Sequence, residues 1–143
     1  MIHRHSVAGR VAVGKIIGLL VGLLIFFGAP SMGLELSTRF ALGLILFYVM
    51  LGAFVGLMGV MDHHPIFKFK MPYWLRGIII GVGMHLMLVL LAYDQMSLIM
   101  QLKIVQSMGF SSPFWVLIDG AVLGFLMEFI VTRHCGEGMQ KLS

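Results

Sequence analysis

The chain has 143 residues, of which 59% are hydrophobic and only 11% charged, and its mean hydropathy is +1.01. A soluble domain carries about 25% charged residues, so a water-covered globule is excluded and lipid is the expected solvent. The net charge of +4 gathers into no basic face, which argues against nucleic acid as a partner and suits contact with anionic lipid headgroups; the single cysteine, Cys135, excludes an internal disulfide.

A helix needs about 20 mostly apolar residues to cross a bilayer. Four windows meet that length, at about 11–29, 40–61, 73–94 and 114–132. The first has a basic lead and an apolar middle, which raises the question of a signal peptide. Its exit, Gly28-Ala29-Pro30-Ser31, is a poor cleavage site, so the window is read as a spanning helix. The second runs to Met61. In the loop that follows, Phe67 and Phe69 alternate with Lys68 and Lys70, a pattern that suits the headgroup layer. The third window opens on Tyr73 and Trp74 and closes at Tyr93, aromatic residues of the kind that sit at both membrane boundaries. The segment at about 95–107 is too polar to span, and its apolar positions form no single stripe. An outer interfacial helix is expected there; the alternative is an extension of the third helix into a partner protein. The fourth window enters after Pro113, a residue suited to a first helical turn.

Orientation follows from basic residues. With the N-terminus inside, the inner segments hold Arg4, Arg10, Lys15, Lys68, Lys70, Arg76, Arg133 and Lys141, and the outer loops hold only Arg39 and Lys103. Lys15 lies within the first window, where its stem can snorkel to the inner interface. The expected fold is therefore an all-α membrane protein: a single integral domain over 1–143, a four-transmembrane-helix bundle with both termini cytoplasmic, in a bacterial inner membrane.

Each window carries glycines four apart: Gly14, Gly18 and Gly22; Gly52 and Gly56; Gly77 and Gly81; Gly120 and Gly124. Residues at that spacing share a helix face, and small residues there let two backbones approach closely. This GxxxG pattern predicts tight packing. The segments "GKIIGLLVG" (14–22) and "GIIIGVGMH" (77–85) are alike, as are "GAFVGLM" (52–58) and "GAVLGFLM" (120–127). They suggest a 2+2 parallel repeat. The match "SMG" at 31–33 and 107–109 fits that repeat only with an eight-residue gap.

Titratable groups inside apolar windows draw attention because a charge at the bilayer centre costs about 2.5–3.5 kcal/mol. His85 lies nine residues past Arg76, about 13 Å into the membrane, and continues the face of Gly77 and Gly81. Glu128 continues Gly120 and Gly124 in the same way. Asp119 lies about 9 Å below the outer surface, and Glu35 sits at an edge. Asp119 and Glu128, nine residues apart, fall on opposite helix faces and are not expected to reach one partner helix. One reading joins His85, Asp119 and Glu128 into a polar trail for protons or cations. The other makes them structural: His85 neutral and bonded to a carbonyl or Tyr48, Glu128 paired with Arg133 or snorkelling, Asp119 a cap or paired near the outer surface.

The remaining histidines, His3, His5, His63, His64 and His134, fall with Asp62 and Cys135 on the expected inner side. These residue types bind metals, but no CxxC, HxxxH or HExxH spacing occurs, and no metal or cofactor is assigned. The 13 methionines include Met96 and Met100, spaced as MxxxM, and Met84 and Met87 beside His85. Thioethers select Cu(I), yet methionine is also a flexible filler of apolar cores. No nucleophile with a spaced base and no phosphate loop points to an enzyme. Two functions remain. One is a transport-type protein for a proton, cation or small solute, acting as a homo-oligomer, with His85 as midplane acceptor and Asp119 and Glu128 as outer and inner gates. The other is a non-catalytic structural or assembly subunit that binds partner membrane subunits.

Overall fold

The computed structural model describes residues 6–136 except 62, 65 and 67. Described residues form six α-helices: α1 (Val7–Ser31), α2 (Thr38–Met58), α3 (Tyr73–Leu91), α4 (Tyr93–Met100), α5 (Lys103–Ser107) and α6 (Val116–Cys135). Four of these, α1, α2, α3 and α6 with the turn that leads into it, are long and apolar enough to cross a membrane. Side chains mark the starts of α1, α2 and the turn before α6. Ser6 caps α1 by accepting from the Gly9 amide at 3.0 Å, and Ser37 caps α2 through Phe40. Ser112 precedes a single 3₁₀ turn, Pro113–Trp115, whose proline needs no amide partner at that position.

The helices pair by backbone contact. α1 lies antiparallel to α2, and α3 to α6. A Cβ added at Gly14 would fall on the carbonyl of Gly52, one at Gly18 on that of Tyr48, and one at Gly22 on the backbone of Ile45. Gly56 meets the backbone of Arg10. In the second pair, Gly77 meets Gly124, and Gly81 meets Gly120. Gly28, Gly43 and Gly83, which stand outside these rows, face open space. The two pairs meet along an apolar seam made of Leu44, Tyr48, Leu51 and Val55 of α2, Val89 of α3, Met96 of α4 and Met127 of α6.

The antiparallel pairing brings the start of α1 and the end of α6 to one end of the bundle, the terminal end. The far end holds α4, α5 and the 3₁₀ turn. The 73–94 window does not run as one helix. It breaks at Ala92 (φ −130°), and α4 starts at Tyr93 with a new direction. The chain turns because Met96 and Met100, four apart on one face, bury against the bundle. The single interfacial helix expected over 95–107 is thus two short ones, separated at Leu102. α2 ends at Met58 with its cap at Gly59, short of the window's Met61.

Candidate functional site

Polar groups collect at two levels. At the terminal end, α1 contributes Arg10, α3 Arg76 and α6 Glu128, and all three are shielded from solvent and lipid alike. Arg10 Nη2 donates to Glu128 Oε1 at 2.9 Å. Arg76 donates to the same oxygen through Nε at 3.1 Å and Nη2 at 2.5 Å. Thr132, one turn on, adds its hydroxyl at 3.2 Å. The second oxygen, Oε2, is buried without a hydrogen-bond partner. The guanidiniums are held from behind by backbone carbonyls. Arg10 Nε donates to Gly56 O at 3.1 Å, and Nη1 reaches Gly136 O. Arg76 Nη1 donates to Met61 O at 2.8 Å. Gly136 takes a positive φ of 75°, which glycine adopts without strain, and that turn presents its carbonyl to Arg10. A charge in an apolar interior needs both a counter-ion and hydrogen bonds; here each cation has both.

Glu128 therefore does not pair with Arg133, which is exposed. Sequence reasoning placed Arg10 and Arg76 among the flanking basic residues and missed their inward aim. The signal was present: Arg10 stands four residues before Gly14 and extends the row of Gly14, Gly18 and Gly22, and Arg76 is next to Gly77.

The second level is His85. Its side chain has no exposed surface. Nδ1 lies 2.9 Å from the Gly81 carbonyl one turn back; a carbonyl only accepts, so Nδ1 carries a proton. Nε2 faces Asp119 Oδ2 at 3.6 Å and the Tyr48 hydroxyl at 3.5 Å. Phe47 packs edge-on against the ring, with centroids 5.3 Å apart. Asp119 is the open member of this group, its side chain 56% exposed.

The expectation that Asp119 and Glu128 cannot both reach one helix is corrected. Both reach α3, at His85 and Arg76. Opposite faces do not prevent this because position 120 is glycine: the His85 ring lies on the bare backbone of Gly120. From there Nε2 reaches the flank of α6 that carries Asp119. The structure brings His85 and Asp119 together and leaves Glu128 in the separate terminal-end cluster. Between the two levels, the backbones of Gly77, Gly81, Gly120 and Gly124 are in contact.

Above Asp119, at the far end, a half-enclosed cavity of about 500 Å³ lies between the two helix pairs. Its walls are apolar, with Ile25, Leu44, Leu88, Met96 and Ile99 among them, and Asp119 and Tyr48 line it from below.

The other candidates disperse. His63 forms a backbone bridge with Lys70. His64 stacks on Phe69 and accepts from the Ile66 amide at 3.2 Å. His134 bonds the Ile130 carbonyl, Cys135 is buried, and Glu35 is exposed. Met96 belongs to the seam, while Met87 is 47% exposed. His3, His5, Asp62, Arg4, Phe67 and Lys141 lie outside the described residues. Among the described residues, no three His, Cys, Asp or Glu side chains are grouped to hold a metal. No protein-family model, curated protein or solved structure matches the chain.

Proposed function

We propose that the protein is a transport-type integral membrane protein that moves protons or a small cationic solute and works as an oligomer. The observation that carries this reading is the pairing of buried His85 with half-exposed Asp119 at the floor of the far-end cavity. A neutral His85 with its proton on Nδ1 presents a bare Nε2 lone pair to Asp119. Two bare acceptors 3.6 Å apart repel, and one proton between them removes the conflict. The Tyr48 hydroxyl at 3.5 Å is at the limit of hydrogen-bond length and does not replace that proton. The dyad is a place where one proton is held within reach of the cavity, as relays in membranes require.

With the basic residues inside, the cavity opens outward. Close backbone contact of α3 and α6 at Gly77, Gly81, Gly120 and Gly124 stands between the dyad and Glu128. That favours either a path at the junction of two copies or a change in how the helix pairs meet. Glu128 then serves as the anchor of Arg10 and Arg76, not as an inner gate. The test is proton flux into vesicles holding the purified protein under a pH gradient. His85→Leu is expected to lower the flux at least tenfold while assembly is kept. A parent flux no greater than that of empty vesicles, or one unchanged in His85→Leu, removes the reading.

One observation favours the second reading, a non-catalytic structural or assembly subunit. The Arg10–Glu128–Arg76 cluster ties three helices, and its three side chains are buried among the described residues. Under that reading, His85→Leu changes co-purification with a partner membrane subunit and no flux is found.

A further inference from the structure

We infer that the far-end cavity binds an organic cation with an apolar body, and that binding exchanges it for the proton of the Asp119–His85 pair. This deepens the transport reading and rests on it only for the step after binding.

The volume of about 500 Å³ is within the range of pockets that enclose small molecules, about 300–1,000 Å³. Helices α1 to α6 all contribute to its wall, and α4 and α5 roof it through Met96, Ile99 and Val105. Nearly all of that wall is hydrocarbon. An inorganic cation is a poor occupant, because hard cations take about six or more oxygen ligands and the cavity offers the Asp119 carboxylate, the Tyr48 hydroxyl and the Ser31 segment of α1. A neutral acyl chain would fill the walls but bring no charge to exchange for the proton of the pair. An anion would meet Asp119 as a like charge. A delocalised or alkylated ammonium or phosphonium ion satisfies both features: its rings or chains lie on the walls and its charge lies beside Asp119, with Tyr48 next to it in the lining.

The charge balance sets the stoichiometry. With one proton the pair is neutral overall, whether written as carboxylic acid and imidazole or as carboxylate and imidazolium. A bound monocation restores the same total once that proton has left. One proton is therefore released for each cation bound. Titratable groups facing the pair are few: Tyr48 from α2, His85 from α3 and Asp119 from α6; the described residues of α1, α4 and α5 that line the cavity include none.

The experiment uses full-length protein in nanodiscs with tetraphenylphosphonium as the probe. Tetraphenylborate, of the same shape and opposite charge, is the control. Binding of the phosphonium, not of the borate, is expected, with one proton released into weakly buffered solution and at least a tenfold loss of affinity in Asp119→Asn. A second variant, Gly28→Leu, guards against a folding defect at Asp119. Gly28 lines the cavity, and a Cβ there meets nothing within 4 Å, so the larger side chain is expected to weaken binding at least tenfold with the fold intact. Equal binding of the borate marks a slot for neutral chains and overturns the inference. So does phosphonium binding without proton release, binding unchanged in Asp119→Asn or Gly28→Leu, or no binding. Binding with proton release but no flux removes the transport reading and keeps this one; flux indifferent to the phosphonium does the reverse.

Discussion

Glu128 gathers four hydrogen bonds on one oxygen and leaves the other bare. Removing one member of a buried ion cluster strands the rest, at a cost of about 3–5 kcal/mol, whereas replacing the whole cluster with apolar residues is often close to neutral. Glu128→Leu is therefore expected to lower unfolding free energy in detergent by about 3–5 kcal/mol. The triple variant Arg10→Met, Arg76→Met, Glu128→Leu is expected to lose less than that single change. Additive losses would mean that the three groups do not act as a unit. At His85 the carbonyl bond fixes Nδ1 as protonated. Nitrogen NMR on ring-labelled protein is expected to report a protonated Nδ1, and that proton is expected to stay in Asp119→Asn. An Nε2-only tautomer would contradict the geometry.

Within an element, neighbouring glycines do different work, and α3 offers a matched comparison. A Cβ at Gly81 falls on the Gly120 carbonyl, while one at Gly83, two residues on, faces open space. Overpacking costs about 1–3 kcal/mol, so Gly81→Ala is expected to destabilise by at least that amount. Gly83→Ala is expected to stay within about 1 kcal/mol of the parent; thermal unfolding of both variants checks the pair, and equal effects would deny that α3 and α6 meet along Gly77 and Gly81. Lipid demands a minimum length of apolar helix, which is why the four long helices are legible in the sequence. The break at Ala92 is not. No glycine or proline marks it, and its cause, the burial of Met96 and Met100, belongs to tertiary packing. The candidate site was half legible: His85 is visible as a lone polar group in an apolar run, but its contact with Asp119 depends on the bare backbone at Gly120. Arg10 and Arg76 were hidden by their likeness to ordinary flanking charges.

At the scale of the molecule, the excess of lysine and arginine at the terminal end predicts its side of the membrane. In a Cys135→Ala background, Ser107→Cys is expected to react with a membrane-impermeant maleimide from outside intact cells, and Arg133→Cys only after lysis. The reverse pattern would invert the orientation. The bundle is also tied from its first helix to its last, since Arg10 on α1 finds its carboxylate on α6. In biosynthesis that guanidinium leaves the ribosome 118 residues ahead of Glu128. At about 5–20 residues per second, the interval is roughly 6 to 24 seconds. Through that time the first helix carries a cation whose acidic mate has not yet been translated. A chain that stops before α6 keeps that guanidinium without the carboxylate that neutralises it in the finished bundle.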